Sequence, residues 1–224
     1  PQGGLISPIL ANVYLHYVLD LWFEKCIKKQ LHGEAYLVRF ADDFLIMFQY
    51  ERDAQRVYEA IIRRMELFGL ELSKEKTRIL PFGRNCGTRE TFDFLGFTHF
   101  NSKTRKGYYS VGHKISRKKK KQFKSNLKKW VKENRDKQFD EFMKKLNKKL
   151  TGSFNYYSLS GMIREVRSLW IHSLYVTFKW MNRRSQRRSF KLERFYEIWH
   201  ERIIHPYIHV DIWSGDKVIY NKKV

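Results

Sequence analysis

The sequence predicts an α+β protein: a small antiparallel sheet with helices on one face, followed by an all-α region. Residues 1–100 alternate helical and strand-like apolar patterns, whereas the chain from Arg117 onward has apolar residues at helical spacing. The 224 residues are 42% hydrophobic and 16% aromatic. This is enough apolar material for one large domain or two small ones to bury a core.

The first hundred residues predict, in order, a helix, a β-hairpin, a second helix and strands. The first helix is expected to be buried, with Ser7 as its cap and Pro8 in its first turn. Gly69 is expected to end the second helix. The predicted bounds are 8–30 and 51–68 for the helices, 36–48 for the hairpin, and 76–82, 91–100 and 107–116 for strand-like stretches.

The later part of the chain predicts four helices rich in lysine and arginine, with aromatic and aliphatic residues on their apolar stripes. Trp170, Trp180 and Trp199 have apolar neighbours and are assigned to the core. The histidines of this part are scattered and are not expected to bind metal. The helices are expected at 117–133, 138–150, 160–181 and 189–203.

The net charge of +22 lies entirely in the second part of the chain. Residues 1–100 hold 13 Lys or Arg and 13 Asp or Glu, whereas residues 101–224 hold 32 and 10. Such a positive region attracts a polyanion and releases its counterions on binding. The sequence has no apolar stretch of about 18 residues, and its charges are not gathered on one amphipathic helix. Nucleic acid is therefore favoured over a membrane as the partner.

Asp42 and Asp43 carry the sharpest chemical signal, because they interrupt two apolar strands. Adjacent carboxylates repel each other, and apolar neighbours would draw them toward a dry environment. A bound divalent cation would offset this cost, and Mg²⁺ prefers carboxylate and phosphate oxygens. Polymerases use two such ions to activate a 3′-hydroxyl and stabilise the leaving pyrophosphate. An isolated Asp-Asp pair also fits a plain solvated turn, so the assignment depends on context.

Several motifs in the right order supply that context. PQGGLISPILANVYLHYVLD (1–20) and RFADDFLI (39–46) resemble the PQG motif and the YADD-type catalytic motif of reverse transcriptases encoded by group II introns. GLELSKEKTRIL and FDFLGF resemble the next two palm motifs. LNKKLTGSFNYYSLSG (146–161) and FKWMNRRSQRRSF (178–190) resemble the maturase-specific region, which also acts as the polymerase thumb.

The resemblance implies that Asp42 binds catalytic Mg²⁺ and that Asp43 is its acidic partner. The family also uses a finger region and a further aspartate upstream of the PQG motif, and neither is in this sequence. A two-metal site that lacks a bridging carboxylate binds Mg²⁺ poorly. We therefore expect an incomplete site, and a 224-residue chain that is inactive alone as a fragment of the intact polymerase.

Further residues are implied to lie beside nucleotide or nucleic acid. Gln2 also fits a polar turn. Phe40 stands where many members of the family have tyrosine, and it keeps the aromatic bulk. The FLGF run also fits a sheet core. The implied residues are Gln2, Gly3 and Phe40 beside the incoming nucleotide and template, and Leu95, Gly96 and Phe97 on the primer side.

The basic region is expected to bind structured RNA, although a lysine face can also be merely solvated. Tyr156 and Tyr157 fit either base stacking or a core position. Four arginines, at 183, 184, 187 and 188, are expected on one side of a helix, where guanidinium groups suit bidentate phosphate contacts. The expected RNA-binding residues are Arg117, Lys118, Lys121, Lys128, Arg183, Arg184, Arg187 and Arg188.

The expected function is Mg²⁺-dependent RNA-directed DNA synthesis from an RNA template, a DNA primer and dNTPs, with binding of intron RNA to assist splicing. Alternatives are an RNA-binding maturase without polymerase activity, or a related reverse transcriptase serving CRISPR adaptation, diversity generation or defence. Two cysteines cannot build a disulfide framework, which favours a cytoplasmic location. The expected segments are 1–100 (C-terminal half of the palm), 101–116 (connecting strand or linker), 117–203 (helical thumb and maturase domain) and 204–224 (tail).

Overall fold

The computed structural model describes residues 4, 6–73, 75–184, 189–208 and 210–211. The chain divides into two compact units, residues 1–95 with 103–109 and residues 96–102 with 110–224. Among the described residues the predicted α+β class is confirmed, with small antiparallel sheets and six α-helices. The predicted site residues Gln2, Gly3, Arg187 and Arg188 lie outside the described residues.

The first unit opens with α1 (Ser7–Leu15), which continues as π-helical turns at His16–Leu21 and Phe23–Ile27 and a 3₁₀ turn at Lys28–Gln30. The predicted helix over 8–30 is therefore confirmed in extent. Ser7 is its first residue rather than its cap, since the cap position belongs to Ile6 and no side chain caps it. The expected burial holds only for the later turns. Every α1 residue is exposed or half-exposed, because the described elements pack against the segment from Val18 onward.

The predicted β-hairpin is confirmed and forms the centre of the first unit. It consists of β1 (Ala35–Phe40) and β2 (Asp43–Phe48), which pair antiparallel from Ala35 opposite Phe48 to Phe40 opposite Asp43. Alternate residues of a strand point to opposite faces. The inward face packs with Val18, Phe23 and Ile61 into a core that also includes α2 (Glu51–Leu67). Gly69 follows α2 in a left-handed conformation, as predicted.

The strand predictions beyond α2 need correction. Residues 76–82 are not a strand, since Pro81 lacks an N–H and no described strand pairs with this segment. The stretch 91–100 is two strands rather than one, because Leu95 and Gly96 both have positive φ, 50° and 83°, as a two-residue hairpin turn requires. The strands β3 (Thr91–Phe94), β4 (Phe97–Lys103) and β5 (Tyr109–Ile115) form a second sheet in that order.

The second unit confirms the four predicted helices, with bounds shifted by a few residues. Trp170 and Trp199 are buried as expected, whereas Trp180 is only half-buried. No helix in the described part of the chain is long and apolar enough to cross a membrane. The helices are α3 (Arg117–Asn134), α4 (Phe139–Tyr157), α5 (Ile163–Met181) and α6 (Leu192–Arg202).

Leu146 tests the core of the second unit, because its side chain is fully buried in α4. We expect Leu146→Ala to lower the free energy of unfolding by about 3 kcal/mol through lost burial and the cavity left behind. The measurement is urea unfolding followed by tryptophan fluorescence. Leu192→Ala is the control, since Leu192 is 38% exposed; equal losses for both variants would contradict this packing.

Asp53 gives the first unit a pH-dependent contact. Its buried carboxylate accepts hydrogen bonds from the backbone N–H groups of His32 and Gly33, at 2.9 and 3.1 Å, and contacts the His32 ring at 3.1 Å. Burial raises the pKa of Asp53, but these hydrogen bonds outweigh it and leave the pKa below its ordinary value. The stabilisation is therefore present above the unfolded pKa and is lost as the pH falls through the folded one.

We expect Asp53→Asn to destabilise the protein near neutral pH, and the loss to shrink as the pH falls below about 4. Urea unfolding by circular dichroism between about pH 6 and pH 3 measures the difference from the unmodified protein. Glu66→Gln, an exposed change on the same helix, controls for net charge. A loss that stays constant with pH would show that the ionised carboxylate is not what stabilises this contact.

Candidate active site and nucleic-acid interface

The acidic tip of the first hairpin is where the sequence predicts chemistry. Ala41 and Asp42 form its two-residue turn, and Asp43 is the first residue of β2, opposite Phe40. Both aspartates are exposed, and neither forms a hydrogen bond or ion pair with any described residue. The dry environment expected for them is therefore wrong for the described chain. The turn extends past the end of the hydrophobic core, so water reaches both carboxylates.

The two carboxylates suit Mg²⁺ in their chemistry but supply only part of a coordination shell. No group of three or more His, Cys, Asp or Glu side chains in the described part of the chain is placed to hold a metal ion. Mg²⁺ is commonly held by one or two carboxylates, with water and substrate phosphates as its other ligands. The acidic tip fits that pattern of binding rather than a closed protein cage.

Arg39 anchors the base of the acidic tip. It lies on the inward face of β1, and its side chain is only 12% exposed. Nε and Nη2 each donate to the carboxylate of Asp20 at 2.7 Å, while Nη1 donates to Asn12 Oδ1 and to the carbonyl of Ala41, both at 2.9 Å. The hydrogen bond from Arg39 holds the pKa of Asp20 below its usual value. Arg39 was not among the predicted site residues, although a charged residue at an inward position of a strand was visible in the pattern.

The outward face of the hairpin is an apolar surface next to the acidic tip. Phe40 is 64% exposed, and Tyr36, Val38 and Met47 on the same face are also exposed. Exposed apolar surface of this kind marks a place where a partner or ligand binds. Phe40 thus lies opposite Asp43 and faces solvent, and its place beside nucleotide and template stays a prediction.

The FLGF run divides between a turn and the core of the second unit. Gly96 has φ +83°, and a Cβ at this position would lie 3.4 Å from the side chain of Lys119 and 3.6 Å from the Tyr157 hydroxyl. Phe97 is buried and packs against Tyr156 and Tyr157, with ring centroids 5.5 Å away in each case. Burial raises the pKa of Tyr157. Phe97 is therefore a core residue, Tyr157 is partly buried beside it, and Tyr156 is 53% exposed.

The predicted basic residues of α3 share one exposed face. Lys118, Lys121 and Lys128 recur at spacings of three and seven, which places them in one sector of the helix surface, and all three are exposed whereas Leu127 and Val131 are buried. Arg117 is also exposed at the start of this face. None of these four forms an ion pair with a carboxylate in the part of the chain that the structure describes. Their charges are thus available to an external anion.

The arginine cluster differs from its prediction. The helix α5 ends at Met181, so Arg183 and Arg184 lie in the following turn and not on a helical face. Arg184 donates to the backbone carbonyl of Lys137 at 3.1 Å, which occupies part of its guanidinium. The helix ends at its predicted bound, and backbone hydrogen bonds close the turn at Asn182.

Trp180 connects the arginine turn to the basic face of α3. The cationic groups of Lys132, Arg135 and Arg183 lie 5.9, 5.5 and 5.4 Å from its ring centroid. Lys132 belongs to the same face of α3 as Lys121 and Lys128. The basic surface therefore extends from Arg117 along α3 to Arg183.

Two histidines regarded as scattered in sequence lie together in the second unit. The rings of His200 and His205 are 4.6 Å apart, and both contact Trp170. They border a cavity of about 760 Å³ between α5 and α6. Burial lowers the pKa of His200. Within the described part of the chain no third side chain completes a metal-binding group with this pair, and both rings belong to the aromatic cluster around Trp170.

Two family models match the chain. Residues 1–99 match the model described as reverse transcriptase (RNA-dependent DNA polymerase), and residues 120–197 match the model described as group II intron, maturase-specific domain. No curated protein matches the chain. The first match contains the acidic tip and Arg39, and the second contains most of the basic surface of the second unit.

Proposed function

Because this chain belongs to the group II intron reverse transcriptases and maturases, we propose that its acidic tip is the metal-binding part of an RNA-directed DNA polymerase site. Asp42 binds Mg²⁺ and Asp43 is its acidic partner. The observation that carries this assignment is that both carboxylates, at the end of the hairpin, are exposed and have no partner among the described residues. Carboxylates in this state can accept a metal ion without first breaking another contact.

Nucleotide, template and primer are assigned around this tip. Phe40 lies on the exposed apolar face beside Asp43, where an aromatic ring can stack on a base or a sugar. Gln2 and Gly3 are assigned beside the incoming nucleotide and template from the motif alone. Leu95, Gly96 and Phe97 are assigned to the primer side; of these, the tight turn at Gly96 permits the closest backbone approach.

Intron RNA is the proposed partner of the basic surface. Arg117, Lys118, Lys121, Lys128 and Arg183 contribute charges that would contact backbone phosphates and confer affinity without sequence specificity. Arg184, Arg187 and Arg188 are assigned to the same surface. The proposed segments are 1–100 for the palm, 101–116 as the connection, 117–203 for the thumb and maturase region, and 204–224 as the tail.

A maturase that binds intron RNA without polymerising DNA is the alternative function. The basic surface supports it, because none of its residues belongs to the first unit. A single variant of the acidic tip distinguishes the two candidate functions.

Asp42→Asn tests the polymerase assignment. In the full-length natural protein, we expect primer extension on an RNA template to fall by about two orders of magnitude or more, since a metal clamp supplies several kcal/mol of transition-state stabilisation. Binding of intron RNA, measured by filter retention, should change by less than about twofold, because Asp42 is not one of the basic residues proposed to contact phosphates.

Glu59→Gln, on the exposed surface of α2, makes the same charge change and should leave extension unaltered. An unmodified protein that binds intron RNA but extends no primer would favour the maturase alternative. Full extension by Asp42→Asn would exclude the acidic tip as a metal site.

The basic surface is tested by a variant in which four of its residues are all replaced by glutamine: Arg117, Lys118, Lys121 and Lys128. We expect the slope of log affinity against log salt concentration to decrease by about 3, because each lost phosphate contact removes close to one released counterion. The measurement is intron RNA binding at several salt concentrations. The matched control neutralises Lys144, Lys145, Lys148 and Lys149, four exposed lysines of α4. Equal losses in both variants would mean that total charge, and not this surface, binds RNA.

A further inference from the structure

The acidic tip depends on a residue that has no role in the proposed chemistry itself. Arg39 is separated from Asp42 by only two residues, yet it lies on the opposite face of the hairpin from Phe40 and is directed into the first unit. A buried arginine without partners would be strongly unfavourable. Its placement therefore requires the acceptors that surround it.

Those acceptors come from the first helix and from the hairpin turn, and together they bind all three nitrogens of the guanidinium. Asp20 receives two parallel hydrogen bonds, from Nε and Nη2, and Asn12 and the Ala41 carbonyl share Nη1. The amide of Asn12 is itself oriented, because its Nδ2 donates to the carbonyl of Pro8 at 3.1 Å. One side chain thus connects the first helix to the turn that carries Asp42.

The helix is shaped to present both acceptors. In a regular α-helix, residues eight apart lie about 80° from each other around the axis. Between Asn12 and Asp20, however, the helix widens into π-helical turns over His16–Leu21, and these turn by a smaller angle per residue. The widening moves Asp20 toward the same side as Asn12, so both reach a single guanidinium.

The turn itself needs such support. Ala41 has φ +54°, a left-handed conformation that a residue with a Cβ rarely adopts. Its carbonyl accepts the bond from Arg39, so the contact directly opposes relaxation of the turn. Asp42 follows immediately, and any rotation at Ala41 would redirect its carboxylate.

We propose that Arg39, held by Asp20 and Asn12, is a positioning residue that fixes the Ala41–Asp42 turn and thereby the direction of the metal-binding carboxylate. The proposal rests on the assignment of Asp42 as a metal ligand. Lysine cannot replace this arginine, because one ammonium group cannot make two parallel bonds to a carboxylate and also reach two further oxygens.

The test uses Arg39→Lys and Asn12→Ala in the full-length natural protein. For Arg39→Lys we expect kcat for primer extension to fall at least tenfold, with KM for dNTP changed by less than threefold, because the reacting geometry and not the binding of substrate is altered. Binding of Mn²⁺ without substrate, followed by electron paramagnetic resonance, should weaken severalfold. Asn12→Ala, which removes one exposed acceptor, should show the same pattern to a smaller degree without loss of folded structure by circular dichroism.

Arg63→Gln provides the matched control, since Arg63 is exposed and, among the described residues, bonds only to Glu59, through a 3.6 Å ion pair and a 3.4 Å hydrogen bond to its carbonyl. If Arg39→Lys and Asn12→Ala both keep normal kcat and Mn²⁺ binding while Asp42→Asn is inactive, the positioning role is wrong and the metal assignment stands. If Asp42→Asn retains full extension and Mn²⁺ binding, the proposed function itself fails. If Arg39→Lys unfolds, an unchanged kcat and Mn²⁺ affinity in Asn12→Ala overturns the proposal.

Discussion

The register of the first hairpin is the constraint on which the first unit depends. With Phe40 opposite Asp43, the two-residue turn places Arg39 inward and Phe40 outward. A slip of one residue would exchange these faces along the whole strand. It would expose Ala35 and Leu37, leave Arg39 without Asp20, and turn Phe40 into the core. Hydrophobic burial and the arginine contacts therefore select the same register, and the position of the acidic tip follows from it.

In the second unit the charges of α3 lie on the exposed surface, whereas Arg39 of the first unit points inward. In α3 the buried residues Leu127 and Val131 pack inward, whereas Lys118, Lys121 and Lys128 are exposed on a separate sector of the helix. No charged group of this face is needed for packing, so many lysines can be accommodated at little cost to stability. Three of the surrounding cations lie over the aromatic ring of Trp180, and this cation–π contact orders part of the surface without neutralising it.

Sequence patterns predicted the elements well where one periodicity dominated. The hairpin, α2 and the four later helices follow from spacing alone, and the two aspartates are located by the break between strands. Other features were not visible in the spacing. The turn at Leu95 and Gly96 looked like strand because both neighbours are β-formers. Arg183 and Arg184 were expected on a helical face, although the predicted helix already ended at residue 181. Burial of the first helix was overestimated because apolar spacing shows which residues share a face but not what covers that face.

Arg39 illustrates why a site is harder to predict than a fold. Its sequence neighbours mark a catalytic motif, but its function depends on Asn12 and Asp20, which precede it by 27 and 19 residues. Their shared side of the helix arises only through a departure from α-helical geometry that no apolar pattern encodes. The charge of Arg39 thus acts through geometry, since one substitution there would change the direction of the Asp42 carboxylate. Charges on α3 act through their sum, and each substitution there removes a similar increment of affinity.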